Sequence, residues 1–237
     1  MNKEINKLNR VAKAYDQFEN NIEFFYADKH IDVILENIKG IEILEVGCSI
    51  GIMTRKLSGF LFNVTVVEAS KKLIEYVKKI KGIDDIIFVQ SLFEDFKTKN
   101  KFSDIIMANL LEHVENPILI LKKAKSLLEN DGLVHIIVPN ANSIHRKIGK
   151  EIGMLKETTS FSSGDKKLGH RRVYTKETLI EDILKSGLKI DKIRGIFLKP
   201  FSDSQMEKFD KKVLNALFEI GKEVPEYCST LYFVCSK

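Results

Sequence analysis

The chain has 237 residues, 44% of them hydrophobic and 30% charged, and 38 Lys+Arg against 33 Asp+Glu give a net charge of +5. That composition supports a buried core and excludes bulk disorder, and the length suits a single domain spanning 1–237. No run of roughly 18 apolar residues occurs, so neither a spanning helix nor a membrane partner is expected. The opening MNKEINKLNR lacks the apolar core of a signal peptide. Cys48, Cys228 and Cys235 are odd in number and lack metal-ligand spacing, which fits a reducing, cytoplasmic location. The lysines are interleaved with acids, so no concentrated basic face for a nucleic acid is expected; a mild positive bias suits an anionic small substrate.

Residues 1–40 read as a helical cap, with Phe18, Ile22, Phe25, Ile31, Ile34, Leu35 and Ile38 recurring at helical spacing before Gly40. Ile41–Val46 predicts a strand running into a glycine turn, and Ile52–Leu57 a helix. Asn63–Glu68 is a β-branched strand, and Ser70 an N-cap for a helix over Lys71–Lys81. Ile86–Val89 and Asp104–Met107 are further strands. Pro117 opens a helix to Leu128. Asp131-Gly132 signals a turn before the strand Leu133–Val138. Residues 140–172 are polar and weakly periodic, and predict a long loop or lid. Thr175 caps a helix to Ser186, stopped by Gly187. Leu188–Leu198 is a strand region, Ser202–Glu223 is helical, and Ser229–Cys235 is the last strand. Strands alternating with helices predict a parallel α/β sheet covered on both faces.

The chemistry concentrates at Ile43–Gly51, ILEVGCSIG. A strand ending in a glycine turn lets a ligand approach the main chain, at the sheet edge where open α/β folds bind nucleotides. Glu68 ends the next strand, where a carboxylate can accept two ribose hydroxyls. Glu45 would repel a pyrophosphate and attract an amino group. That favours S-adenosylmethionine, which carries an α-amino group and no phosphate, over a nicotinamide dinucleotide.

ILEVGCSIG, VVEAS and FSDIIMANLLEHVENP resemble the class I S-adenosylmethionine-dependent methyltransferases, well over about residues 40–139 and more loosely through GHRRVYTKETLIEDILKSGLKI. Within the class the chain looks like the small-molecule branch of ubiquinone/biotin-pathway and sugar-modifying enzymes, where Leu-Glu-His follows the fourth strand. The resemblance implies a Rossmann-like seven-stranded sheet, mostly parallel with an antiparallel last strand and helices on both faces. It implies S-adenosylmethionine as cofactor, with S-adenosylhomocysteine as product. It assigns Glu45, Gly47, Cys48, Ser49 and Gly51 to the methionine part, Glu68 to the ribose, and Ala69, Leu92 and Phe93 to the adenine. Asn109 and Leu110 face the methionine side. Ser49 stands where the family has its middle glycine, and Leu92 where many members have an adenine-binding Asp.

Methyl transfer is an in-line displacement in which alignment supplies roughly 7–11 kcal/mol and a base roughly 10²–10⁴-fold. Of the five histidines, His135 lies in an apolar strand and reads as core, and His30 as structural or exposed. His113, just past the fourth strand, is the best candidate base, with His170 second. Asn140, His145, Arg171, Arg172 and Tyr174 are candidates for binding the acceptor, the arginines through a phosphate or carboxylate. No carboxylate cluster is assembled for a divalent metal, and none is expected. The leading expectation is O-methylation of a carbohydrate or nucleotide-linked sugar, a phosphate-bearing sugar included, in surface-polysaccharide synthesis. RNA or protein methylation, or a non-catalytic cofactor-binding subunit, are the alternatives. The acceptor and the oligomeric state are left open.

Overall fold

The computed structural model describes residues 21–237. Its order is α1 (Asn21–Leu35), β1 (Glu42–Val46), α2 (Ile52–Leu57), β2 (Asn63–Glu68), α3 (Lys71–Val77), β3 (Ile87–Gln90), β4 (Phe102–Ala108), α4 (Pro117–Leu127), β5 (Leu128–Pro139), α5 (Ile144–Glu151), α6 (Ser163–Leu168), α7 (Lys176–Ser186), β6 (Lys189–Ile196), α8 (Asp203–Met206), α9 (Lys211–Gly221) and β7 (Thr230–Ser236). The seven strands form one sheet in the order β3-β2-β1-β4-β5-β7-β6. β7 runs antiparallel to both its neighbours, and the pairs among β1–β5 are parallel. This is the expected Rossmann-like sheet.

Strand alternation builds two cores. Leu44, Val46, Ile105 and Met107 face α4 and α7, and join Leu121, Ile183 and Phe233. Ile43, Val66 and Ile106 point the other way and join Ile34 of α1, Leu57 of α2 and Phe218 of α9. Burying each of these side chains contributes roughly 1.5–3 kcal/mol. Local signals set the helix ends. The Ser70 hydroxyl accepts from Leu73 N, Asn116 caps α4, and Thr175 forms a capping box with Thr178.

One polar network crosses this apolar sheet. His135 meets the Tyr232 hydroxyl through Nδ1 at 2.8 Å and the Asp104 carboxylate through Nε2 at 2.9 Å. Asp104 also accepts from the backbone of Lys39 and Gly40. Burial alone would raise the Asp104 pKa, but the hydrogen bonds from His135 and Gly40 outweigh it and hold the carboxyl below its ordinary range. His135 is thus the satisfied core residue expected of it.

Four boundaries differ from expectation. Asp131-Gly132 is not a turn but part of a bulge within β5: Phe102 pairs with Leu128 and Asp104 with Leu133. A Cβ on Gly132 would stand 2.9 Å from the carbonyl oxygens of Phe102 and Ser103, so only glycine fits this crossing. The helix expected to reach Lys81 ends at Val77. Ser202–Glu223 is two helices, because the Asp210 carboxylate accepts from Lys212 N and starts α9 afresh. Residues 140–172 hold α5 and α6 rather than a structureless loop. Of the N-terminal cap, residues 1–20 lie outside the described residues, and α1 covers 21–35, stopping short of Gly40.

Candidate active site

Two cavities open at the carboxyl edge of the sheet and meet at His113. The first, about 490 Å³, is lined by Gly47, Glu68, Ala69, Leu92, Phe93 and Leu110, among others. These residues follow β1, β2, β3 and β4, which parallel pairing brings to one edge. Gly47 has φ 82° and donates its N–H to Val67 O at 2.9 Å. A Cβ there would find only Leu110 Cδ1, at 3.9 Å, so the main chain faces open space. Glu68 is 8% exposed; its Oε1 accepts from Ser70 N at 2.7 Å and its Oε2 from Cys48 N at 3.2 Å. Burial raises its pKa against those two backbone donors. Each anchored oxygen keeps a lone pair for a hydroxyl. An acid held by backbone, an apolar slot of Ala69, Leu92 and Phe93, and a bare glycine turn fit a nucleoside with an amino-acid tail.

The second cavity, about 390 Å³, lies on the other side of His113. Helix α1 lines it with Glu23, Tyr26 and His30, and the 140–172 segment with His145, Asp165 and His170. Ser49, Asn109, Glu112, Lys199 and Asp203 complete its polar wall. Ser49 (φ 47°) and Asn109 (φ 52°) hold the left-handed conformation at this junction without being glycine, at a cost of roughly 1–2 kcal/mol each. The Ser49 departure from the family pattern therefore keeps the glycine-like turn. Asn109 N donates to Ile137 O at 2.8 Å, fixing the bend after β4.

At the meeting point the rings of His113 and His170 stand edge to face, 4.7 Å between centroids. Asp165 Oδ1 holds His170 Nδ1 at 3.0 Å. Asp165 also receives Arg146 Nη1 and caps its own helix through Ser162. Hydrogen bonds to His170, Ser162 and Arg146 outweigh its burial and hold its carboxyl far below the ordinary range. Beside the rings, Glu112 is 1% exposed and neither of its oxygens has a hydrogen-bond partner. Burial pushes its carboxyl up to about 7. His145 is half-buried, its Nδ1 without a partner and its pKa pushed down to about 3 by desolvation.

Several sequence assignments need correction. Arg172 does not face an acceptor phosphate: its guanidinium donates to the carbonyls of Leu111, Val114 and Glu115 at 2.6, 2.6 and 3.0 Å. Arg171 Nε donates to His113 O at 2.9 Å. Neither arginine lines the acceptor cavity; both pin the turn that carries His113. Tyr174 is core, its hydroxyl on Asp182 at 2.9 Å. Asn140 borders the cavity, but its amide donates to Glu226 O and Cys228 O and its oxygen accepts from Asn142 N. Glu45 lines neither cavity. It lies under the turn, 2% exposed, with Thr54 donating to it at 2.8 Å, and burial pushes it up to about 8. Cys48 is buried, with its N–H on Glu68. Gly51 is needed for packing: φ is 82°, and a Cβ would stand 2.8–2.9 Å from Val77 and Ile80 side chains.

Sequence reasoning missed Glu112, Asp165, Glu23, Tyr26, Lys199 and Asp203. Glu112 had a signal in the Leu-Glu-His run itself. The others depend on helices folding back over the sheet edge, which no local pattern reveals.

A family model described as a methyltransferase domain matches residues 18–193. Among curated relatives, the ubiquinone biosynthesis O-methyltransferase of Rickettsia canadensis is 34% identical over 101 residues, which is 41% of this chain and 42% of that protein. The enzyme of the same name from Glaesserella parasuis is 25% identical over 150 residues, 58% and 64% of the two chains. The matches thus span about two fifths to two thirds of these relatives' length. In fold, the chain is similar to the CcbJ methyltransferase from Streptomyces caelestis, with TM-score 0.64, 14% identity and 96% of each chain covered. It is equally similar to a DhpI complex with S-adenosylmethionine, with TM-score 0.64, 16% identity, and 99% and 97% coverage. With the glycine turn, the buried Glu68 and the seven-stranded sheet in place, the chain belongs to the methyltransferase-domain family.

Proposed function

We propose that the protein methylates a hydroxyl of a small, polar acceptor, and that a carbohydrate is the class the acceptor cavity fits. The observation that carries this reading is the 390 Å³ cavity meeting the cofactor cleft at His113. Its volume is that of an ordinary small-molecule site. Its wall sets carboxylates, imidazoles and hydroxyls, including the partnerless His145 Nδ1, among apolar side chains such as Ile50, Ile52 and Leu168. A hydroxylated ligand would satisfy such groups, whereas an apolar one would leave them buried and unpaired. Arg171 and Arg172, which first suggested a phosphate, donate to carbonyls of the 111–115 turn and line neither cavity.

S-adenosylmethionine supplies an already activated methyl group on a sulfonium. Glu68, Ala69, Leu92, Phe93 and the Gly47 main chain would hold it. The protein's own task is alignment. Arg171 and Arg172 fix the 111–115 turn, the turn fixes His113, and His113 closes the cofactor cleft against the acceptor cavity. Residues 140–172 act as the lid, with Arg146 tying α5 to Thr158 O, Ser160 O and Asp165. The cluster of Glu112, His113 and His170 stands where an acceptor hydroxyl must lose its proton. The similarity to ubiquinone biosynthesis O-methyltransferases favours a second reading, a phenolic quinone precursor as acceptor.

Incubation with methyl-labelled S-adenosylmethionine and separate pools of sugars and sugar nucleotides, catechols, RNA and protein distinguishes these readings. Label in the saccharide pool supports the proposal. Label in catechols selects the second reading, and label in RNA or protein overturns both.

A further inference from the structure

We infer that Glu112, His113 and His170 form a binding site for a first-row divalent cation, zinc or manganese in character, at the junction of the two cavities. One oxygen of Glu112 and one ring nitrogen of each histidine lie within 4.8 Å of one another. Donors around a tetrahedral ion at roughly 2.0–2.2 Å stand about 3.3–3.6 Å apart, so closing on a cation needs a movement of about 1–1.5 Å, which side-chain rotation supplies. The carboxylate is the second, independent observation. It is 1% exposed, faces the acceptor cavity, and neither oxygen has a hydrogen-bond partner. A buried carboxylate keeps its charge only when a cation compensates it, and a divalent ion would do so here.

The surroundings fit the same role. Asp165 holds His170 Nδ1 at 3.0 Å, which fixes the ring and leaves Nε2 for coordination. A carboxylate behind a ligating imidazole is the usual support of a metal-bound histidine. Arg146 in turn anchors Asp165 at 3.0 Å. On the other side, Arg171 grips the His113 carbonyl. Two imidazoles favour a first-row metal over magnesium or calcium. Three protein donors leave positions open toward the acceptor cavity, the arrangement of a catalytic rather than a structural ion.

The inference rests on methyl transfer at this site and adds how the acceptor would be held and activated. A hydroxyl on the cation becomes more acidic. It loses its proton to water, and its oxygen pair forms the O–CH₃ bond. The C–S bond of S-adenosylmethionine breaks with its pair on sulfur, leaving neutral S-adenosylhomocysteine. His113 and His170 then serve as ligands that place the acceptor oxygen, rather than as free bases.

The test is equilibrium binding of Mn²⁺ and of Zn²⁺ to chelator-stripped full-length protein, with S-adenosylhomocysteine binding measured separately. One equivalent of either ion should bind. Mn²⁺ should selectively broaden the ring resonances of His113 and His170 in the unsubstituted protein. Glu112→Gln, which keeps the side-chain shape, should weaken the cation by at least tenfold and leave S-adenosylhomocysteine affinity within about twofold. Asp165→Asn should weaken it by roughly 10–100-fold. Absence of binding, or broadening at other histidines, overturns the cation site while leaving the methyltransferase reading intact. Loss of S-adenosylhomocysteine binding by the unsubstituted protein would instead strike that reading.

Discussion

Glu68 does two jobs with one carboxylate. It ties the glycine turn to the start of α3 through Cys48 N and Ser70 N, and it presents oxygen to the cofactor cleft. Charge-assisted bonds of this kind are worth roughly 1.5–3 kcal/mol. Glu68→Ala is therefore expected to weaken S-adenosylhomocysteine binding by about tenfold or more in calorimetry; unchanged affinity would remove Glu68 from the cofactor site. Gly47 and Glu68 were legible in the sequence because each depends on a strand end and its own turn. Gly51 was legible as a required glycine, and the packing of Val77 and Ile80 against it is a reason no local pattern shows. The arginines were misread because residue type reveals a guanidinium but not the carbonyls more than fifty positions away that receive it.

The elements were most legible where both ends carry a chemical signal. α2, β2 and α7 fall where glycine, β-branching and the Thr175 cap place them. The misses lie where tertiary contacts decide. The β5 bulge exists because Gly132 passes over β4, and α5 and α6 are set by Arg146 and Asp165 rather than by apolar periodicity. The most consequential contact between elements is the Arg172 clamp on the 111–115 turn. Arg172→Ala leaves three carbonyls short of a donor, and each hydrogen bond to a charged group contributes roughly 1.5–3 kcal/mol. It should lower stability by about 2 kcal/mol or more in urea unfolding, and lower turnover with every acceptor alike. A loss confined to anionic acceptors, with stability unchanged, would restore the arginine to acceptor binding.

At the scale of the molecule, buried titratable groups tie stability to pH. His30 on α1 is buried with its ring Nε2 3.1 Å from the Thr230 hydroxyl on β7, and burial lowers its pKa from 6.5 to about 4. Below about 6.5 the unfolded chain takes up a proton that the folded chain refuses, so stability falls as pH drops from 6.5 toward 4. Two to three pH units at about 1.4 kcal/mol each make this a loss of about 3 kcal/mol. His30→Gln should flatten the fall of the urea midpoint over that window; parallel curves for the two proteins would refute the assignment. Glu45, pushed up from 4.5 to about 8, acts in the opposite sense. The stability it contributes is full below 4.5 and is lost as pH rises through 8.

The same folding that buries these groups brings Glu68 from β2, His113 from the turn after β4 and His170 from the far end of the lid to one sheet edge. The central claim is that this edge divides into a cofactor cleft and an acceptor cavity with His113 between them. A crystal structure with bound S-adenosylhomocysteine tests it most directly. The account predicts the ribose on Glu68, the adenine against Ala69, Leu92 and Phe93, and the sulfur directed past His113 into the cavity lined by Glu112, His145 and His170. A ligand seated in the other cavity, or a sulfur turned away from His113, would contradict it.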